Sequence, residues 1–244
     1  MEILSHIATA KSQEYLIAVL FIMLFIIFWR LTTAPTTRPV PVAEAVRGLG
    51  ATLGELVGGF LVPEKLFFHQ GHGWLKANRG NVVRVGMDDF AQRLVGRIAF
   101  VKLPEVGATL KQGERGWTLY VDDRAIDMLS PVEGKVVAVN EEVAYLDPQQ
   151  VNQDPYGEGW LMEVEAPTLA ANLTNLLSGE LAKKWIERVR ENLTSRTGPN
   201  LGLVYQDGGL PVESIAKNLD RDRWDEIARE FFLTSEEAPI SPER

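Results

Sequence analysis

The chain of 244 residues contains no cysteine. Disulfides, thiolate nucleophiles, Cys-ligated zinc and Cys-held iron–sulfur clusters are therefore excluded. It also lacks a concentrated basic stretch: 25 Lys and Arg are scattered among 33 Asp and Glu, for a formal charge of −8. A polyanion needs a positive face, so nucleic acid is not expected as a partner. No P-loop is present, and "GLG" at 48–50 is too short for a dinucleotide fingerprint. Histidine is scarce as well. His69 and His72 form an H-x-x-H pair, but no third ligand lies nearby, so no metal is expected. The adjacent acids Asp88-Asp89 and Asp122-Asp123 read as capping or solvated groups, with no nucleophile–base arrangement beside them. No cofactor and no enzymatic activity are expected. What remains, 45% hydrophobic and 24% charged, is ordinary globular composition.

Charge, proline and glycine are all missing from "YLIAVLFIMLFIIFW", Tyr15 to Trp29. Extended through Arg30 and Leu31 this is roughly 25 Å of helix, slightly under the roughly 30 Å of a hydrocarbon core, and "SHIATAKSQE" can lengthen it. Tyr15, Trp29 and Arg30 are the expected interfacial anchors. A cleaved signal peptide fits less well, because the apolar run is long, Glu2 and Glu14 precede it and no A-x-A site follows. Residues 1–31 are thus read as a segment with a single transmembrane helix. Lys11 flanks it on one side, Arg30, Arg38 and Arg47 on the other. That bias places the N-terminus outside and the main domain on the cytoplasmic side of an inner membrane.

Residues 32–61 form a linker followed by a glycine-rich segment. "LTTAPTTRPVPV" carries three prolines and no apolar period. In "AEAVRGLGATLGELVGGFLV", Val46, Leu49, Leu53, Leu56, Val57 and Phe60 fall at helical spacing despite five glycines. A helix is expected there, packed on the domain or set against membrane or partner. From Val62 onward short β-branched and aromatic runs, "NVVRVG", "RIAFVKL", "GWTLYV", "GKVVAVN" and "WLMEVE", alternate with Gly/Pro/Asp/Asn turns. "MDDFAQRL" interrupts them as a short helix, with Asp88 as cap and Phe90 and Leu94 on its buried face.

Several stretches in this region are specific: "HGW" at 72–74, "VRVGMDDFAQRLVG" at 83–96, "VKLPEVGATLKQGE" at 101–114, "SPVEGKVVAVNE" at 130–141 and "NQDPYGEGWLMEVE" at 152–165. Together they resemble the H-protein of the glycine cleavage system, a lipoyl carrier with a barrel-sandwich hybrid fold. The resemblance implies an H-protein-like domain over residues 62–167, with a structural role for His72. It also implies a lipoylated lysine at a hairpin tip, seven residues before the serine of Ser130-Pro131. That position is Asp123. Lipoate is held by an amide to a primary amine; a carboxylate cannot form it, and Arg124 carries a permanently protonated guanidinium. Lys111 and Lys135 are the nearest lysines on either side, both displaced from the tip.

Beyond the resemblance, residues 168–234 read as a helical extension. "ANLTNLLSGELAKKWIERVRENL" places Leu173, Leu176, Leu177, Leu181, Trp185, Val189 and Leu193 on one stripe. Pro211 should open a helix over 212–218, and Asp222 another through Phe232. Trp224, Phe231 and Phe232 either pack on the core or form a partner-docking surface. Residues 235–244 are expected to be a disordered tail. The fold class is therefore β-rich α+β, a barrel-sandwich hybrid core with an N-terminal transmembrane helix and C-terminal amphipathic helices. Three functions follow. The first is a membrane-tethered scaffold subunit docking onto an integral-membrane complex of electron-transfer or photosynthetic type. The second is participation in lipoyl or one-carbon chemistry, through a shifted lysine or as a binder of lipoyl-dependent enzymes. The third is a sensor using the groove that would receive lipoate. The orientation is directly testable. Protease added to intact spheroplasts should leave the large domain uncut; its removal while cytoplasmic markers survive would reverse the assignment.

Overall fold

The structure, a computed structural model, describes residues 20–25, 54–197, 202, 204–206 and 209–235. It divides into two units, Met1–Gly48 and Leu49–Arg244. In the first, residues 20–25 are helical with exposed apolar side chains. Tyr15, Trp29 and Arg30 lie outside the described residues, and among those described no helix is long and apolar enough to cross a membrane.

The second unit opens with a hairpin, β1 (Glu55–Val57) and β2 (Phe60–Val62), paired through Val57 and Phe60. The helix expected over this stretch is not formed at Leu56, Val57 and Phe60. Gly58 and Gly59 take φ of 58° and 91°, the two-residue turn that joins antiparallel strands and that a helix interior does not sustain. Val46, Leu49 and Leu53 lie outside the described residues. Phe60 is fully buried with its ring 5.1 Å from Phe90, so the folded unit begins before residue 62.

Two antiparallel sheets follow. The larger has six strands in the order β3-β4-β5-β11-β10-β7: β3 (Phe67–Phe68), β4 (Gly73–Arg79), β5 (Val82–Met87), β11 (Met162–Glu165), β10 (Gly134–Val139) and β7 (Thr109–Leu110). The smaller contains β6 (Phe100–Lys102), β8 (Arg115–Val121) and β9 (Arg124–Leu129), with β8 central. Alternation sends Leu75, Val83, Val85, Leu119, Ile126, Met128 and Val164 into one shared core. All five β-rich runs identified in the sequence contain strands of these sheets.

Helix α1 (Asp89–Val95) begins as its sequence predicts: Asp88 Oδ1 accepts from the Ala91 N–H at 2.8 Å, and Phe90 and Leu94 are buried. Short helices α2 (Gln150–Gln153) and α3 (Leu169–Leu173) precede the long α4 (Gly179–Ser195). The single helix expected from 171 to 193 is thus broken. Leu177 leaves the helical path to exchange two 2.8 Å hydrogen bonds with Phe68, and Gly179 restarts the chain from φ 52°. Leu176, Ala182, Ile186 and Leu193 face inward, whereas Leu181 is exposed.

The extension ends in α5 (Ile215–Leu219) and α6 (Trp224–Phe231). Pro211 bridges to Tyr205 rather than opening a helix, so α5 starts three residues later than Val212. Trp224, Phe231 and Phe232, expected as alternative partner contacts, are 4%, 7% and 0% exposed. They are core. Phe231 meets Phe90 at 5.3 Å and Phe232 approaches His72 at 6.1 Å, so aromatic packing consumes the surface they would have offered. The tail beyond Ser235 lies outside the described residues. Phe232→Ala should therefore cost about 3–5 kcal/mol, read as a lowered urea midpoint. A surface residue would move it by less than about 0.5 kcal/mol.

Candidate functional site

The β8–β9 hairpin is closed by Val121 paired with Arg124, which leaves Asp122 and Asp123 as its two turn residues. Asp122 sits at φ 51°, a left-handed conformation that aspartate tolerates better than most residues. Below the turn the side chains alternate. Leu119, Val121 and Ile126 are buried, while Tyr120 lies on the other face with its ring 5.7 Å from Phe100. Asp123, predicted at the tip, is at the tip, with its carboxylate 86% exposed and 3.7 Å from Arg124 Nε.

The tip does not stand free. Asp122 Oδ2 is 2.6 Å from Lys217 Nζ on α5, and that ammonium lies 4.9 Å over the Trp224 ring. Arg124 Nη1 is 3.5 Å from Asp225 Oδ2 on α6, and Arg229 Nη1 reaches the same oxygen at 2.9 Å. Arg229 Nη2 also donates to the Ala125 carbonyl at 3.1 Å. Asp225 is only 5% exposed, so two guanidinium groups compensate a nearly buried carboxylate. Lys217, Asp225 and Arg229 were not singled out by the sequence. The (i, i+4) spacing of Asp225 and Arg229 is readable on a helix, but contact with a turn about 100 residues away is not.

The base of the hairpin is built differently. Ser130 Oγ donates to the Val132 carbonyl at 2.7 Å, and any Cβ on Gly134 would collide with the Glu165 carbonyl oxygen. Lys111 lies before β8, at the end opposite the tip, and pairs with Glu114 at 3.2 Å. Lys135 belongs to β10 of the other sheet. Neither lysine is near the turn. His72 is 1% exposed, with Nδ1 2.8 Å from Asp88 Oδ2, so it is a packed structural residue. Burial, helped by His72, holds His69 below its usual pKa. Among the described residues no group of three or more His, Cys, Asp or Glu is placed to hold a metal ion.

A family model, "Glycine cleavage H-protein", matches residues 66–189, half of the chain. The chain belongs to the glycine cleavage H-protein family. The glycine cleavage system H protein of Carboxydothermus hydrogenoformans is 42% identical over 54% of this chain and 98% of its own length. That of Coprothermobacter proteolyticus is 43% identical over 51% and 97%. A crystal structure of the H protein from Mycobacterium marinum aligns with 53% of this chain and 99% of its own at 28% identity, with a TM-score of 0.46. The H-protein family consists of carriers rather than catalysts, and the chain is accordingly not an enzyme. The β1–β2 hairpin and helices α5 and α6 lie outside the matched residues, so the tip's ion-pair partners are additions to the family domain.

The lipoyl group that the family implies does not fit this tip. The turn offers two carboxylates and is followed by an arginine, with no acylable amine. The buried acid behind the tip and the exposed acid on it should be energetically distinct. Asp225→Ala, which strands Arg124 and Arg229, is expected to cost about 1–3 kcal/mol in urea unfolding, discounted because both arginines reach solvent. Asp123→Ala should change stability by less than about 0.5 kcal/mol.

Proposed function

We propose that the chain is a non-enzymatic H-protein-family module that docks onto a larger assembly and does not itself carry lipoate. The observation that carries this reading is the tip itself. By its spacing from Ser130 the resemblance puts Asp123 in the place of the family's acceptor lysine, and its neighbours are tied by charge to the C-terminal helices. A swinging arm needs an amine on a presented turn; this turn has no amine, and Asp122 and the flanking Arg124 are already engaged. The apolar run from Tyr15 to Trp29, with Arg30, Arg38 and Arg47 after it, supports a tether that holds the module against the cytoplasmic face of an inner membrane. An integral-membrane complex is the corresponding partner.

A second reading, participation in lipoyl-dependent glycine cleavage chemistry, is favoured by the 42% identity to a glycine cleavage system H protein. It would make this chain a lysine-less binder of enzymes that recognise the H-protein surface. Use of Lys111 or Lys135 as a displaced acceptor would require the arm to start from the hairpin base or the opposite sheet. One preparation separates the readings: the full chain purified from membranes in mild detergent, with co-purifying proteins identified and its intact mass measured. Integral-membrane proteins in fixed stoichiometry with an unmodified mass are expected. Glycine cleavage components, or a lipoyl adduct mapped to Lys111 or Lys135, would favour the second reading instead.

A further inference from the structure

Four consecutive residues at the tip, Asp122 to Ala125, are all exposed, whereas Val121 and Ile126 on either side are fully buried. Apolar burial therefore holds the hairpin up to its last rung and no further. What holds the turn itself is charge. Asp122 and Arg124 present a minus and a plus to α5 and α6, which answer with Lys217 and Asp225 in the complementary order. A register slip between turn and helices would bring like charges together. Arg229 adds a main-chain contact by taking the Ala125 carbonyl on β9, one of the two edge strands of the three-stranded sheet, so part of that edge is unavailable for strand addition. The helices are not the moving part. Ile215, Ala216, Trp224, Ala228, Phe231 and Phe232 are all buried in the core, which fixes α5 and α6 whether or not the turn touches them.

We propose that the C-terminal extension is an electrostatic latch on the hairpin tip, an autoinhibitory contact that closes the turn to any protein that must grip it. In the closed state one flank of the tip is held by α5 and α6, and Asp123 is the most exposed of its charged side chains. In the open state the turn lifts from the helices by local opening while the strands below stay paired. The equilibrium between the two is set by the pairs Asp122–Lys217 and Arg124–Asp225–Arg229 and by salt. The inference builds on the docking reading above, because it supplies the condition under which the tip becomes available to a partner.

The test uses an enzyme that must grip the turn. Asp123→Lys restores an amine, and a purified lipoyl-protein ligase with lipoate and ATP can then form the amide, releasing AMP and pyrophosphate. Acylation of Asp123→Lys should be slow in the otherwise intact chain. Adding Lys217→Ala and Arg229→Ala should speed it about tenfold, corresponding to about 1.4 kcal/mol of lost latching. Adding Lys217→Arg, which keeps the pair, should leave it slow. Equal rates in all three would overturn the latch. The amide chemical shifts of residues 122–125 in the unacylated chains are the second readout, independent of whether the ligase accepts the altered flanks. They should differ between the wild type and Lys217→Ala/Arg229→Ala, and 0.5 M salt should move the wild-type shifts toward those of the variant while leaving the variant's in place. Wild-type shifts that do not respond to salt, in a chain that still unfolds cooperatively, would overturn the proposal. A lipoyl adduct on wild-type Lys111 or Lys135 would instead overturn the docking reading and leave the latch standing.

Discussion

The imidazole of His72, 1% exposed, lies where the parts of this fold converge. Its Nδ1 is 2.8 Å from Asp88 Oδ2, and its ring stacks on Phe90 at 4.5 Å beside Trp185 at 4.8 Å and Phe232 at 6.1 Å. Those neighbours come from α1, from α4 and from the residue that follows α6. Asp88 serves two partners with its two oxygens: Oδ1 takes the Ala91 N–H at the start of α1, and Oδ2 lies in hydrogen-bond contact with His72 Nδ1. A carboxylate left without either partner in this setting would be a buried, partly compensated charge, which is costly. The β-sheet core, the long helix and the C-terminal extension are therefore coupled through one histidine–aspartate contact. His72 takes φ 65° to make it, a strained conformation that only dense surroundings sustain.

The same junction seats the N-terminal hairpin. Asp89 Oδ2 accepts from the Leu61 N–H at 2.9 Å, and Tyr156 donates to the Leu61 carbonyl at 2.7 Å while accepting from the Asp89 N–H. Burial pushes the Tyr156 phenol well above its ordinary pKa, with Asp88 and Asp89 adding to the effect, so it stays a neutral donor. On the outer side Lys183 gathers Glu55, Glu180 and Glu64 within 2.7–3.1 Å, and these contacts raise its pKa. The hairpin β1–β2 and the turn after it are thus tied to α4 by one exposed cluster and to α1 by one buried one.

How much of this was legible in the sequence follows from the range of the interactions. Asp88 capping α1 is a three-residue relation, and the strands announce themselves by alternation within six residues, so both could be read directly. Motifs such as "DPYGEGW" carried the family and, with it, the position of Asp123. The β1–β2 hairpin is hidden in the sequence because Leu56, Val57 and Phe60 also satisfy a helical spacing, and Gly58-Gly59, which in a helix would only weaken it, is the turn. The break before α4 depends on a bridge from Leu177 to Phe68, about 110 residues apart, and has no local signal beyond Ser178-Gly179. Trp224, Phe231 and Phe232 were ambiguous for a general reason: an amphipathic helix shows which face is apolar, not what covers it. The ion pairs at the tip were invisible for the same reason, since Lys217 and Asp225 look like ordinary solvated charges until the fold brings Asp122 and Arg124 to them.

Apolar and polar contacts divide the work in the extension, and their magnitudes decide which does what. Burying a phenylalanine contributes about 1.5–3 kcal/mol, and Phe231, Phe232 and Trp224 are all buried, so these residues alone dominate the docking of α5 and α6 onto the domain. Partly exposed ion pairs contribute on the order of 1 kcal/mol or less each, too little to seat two helices against the entropy of ordering them. Charge is nevertheless sufficient to hold a two-residue turn whose strands are already paired, because only the turn's own freedom has to be restrained. The position of the extension and the closure of the tip are therefore separable properties of one structure. Changes in the aromatic set, or in the nearly buried Asp225, act on folding, while changes in Lys217 or Arg229 act chiefly on how the turn is presented.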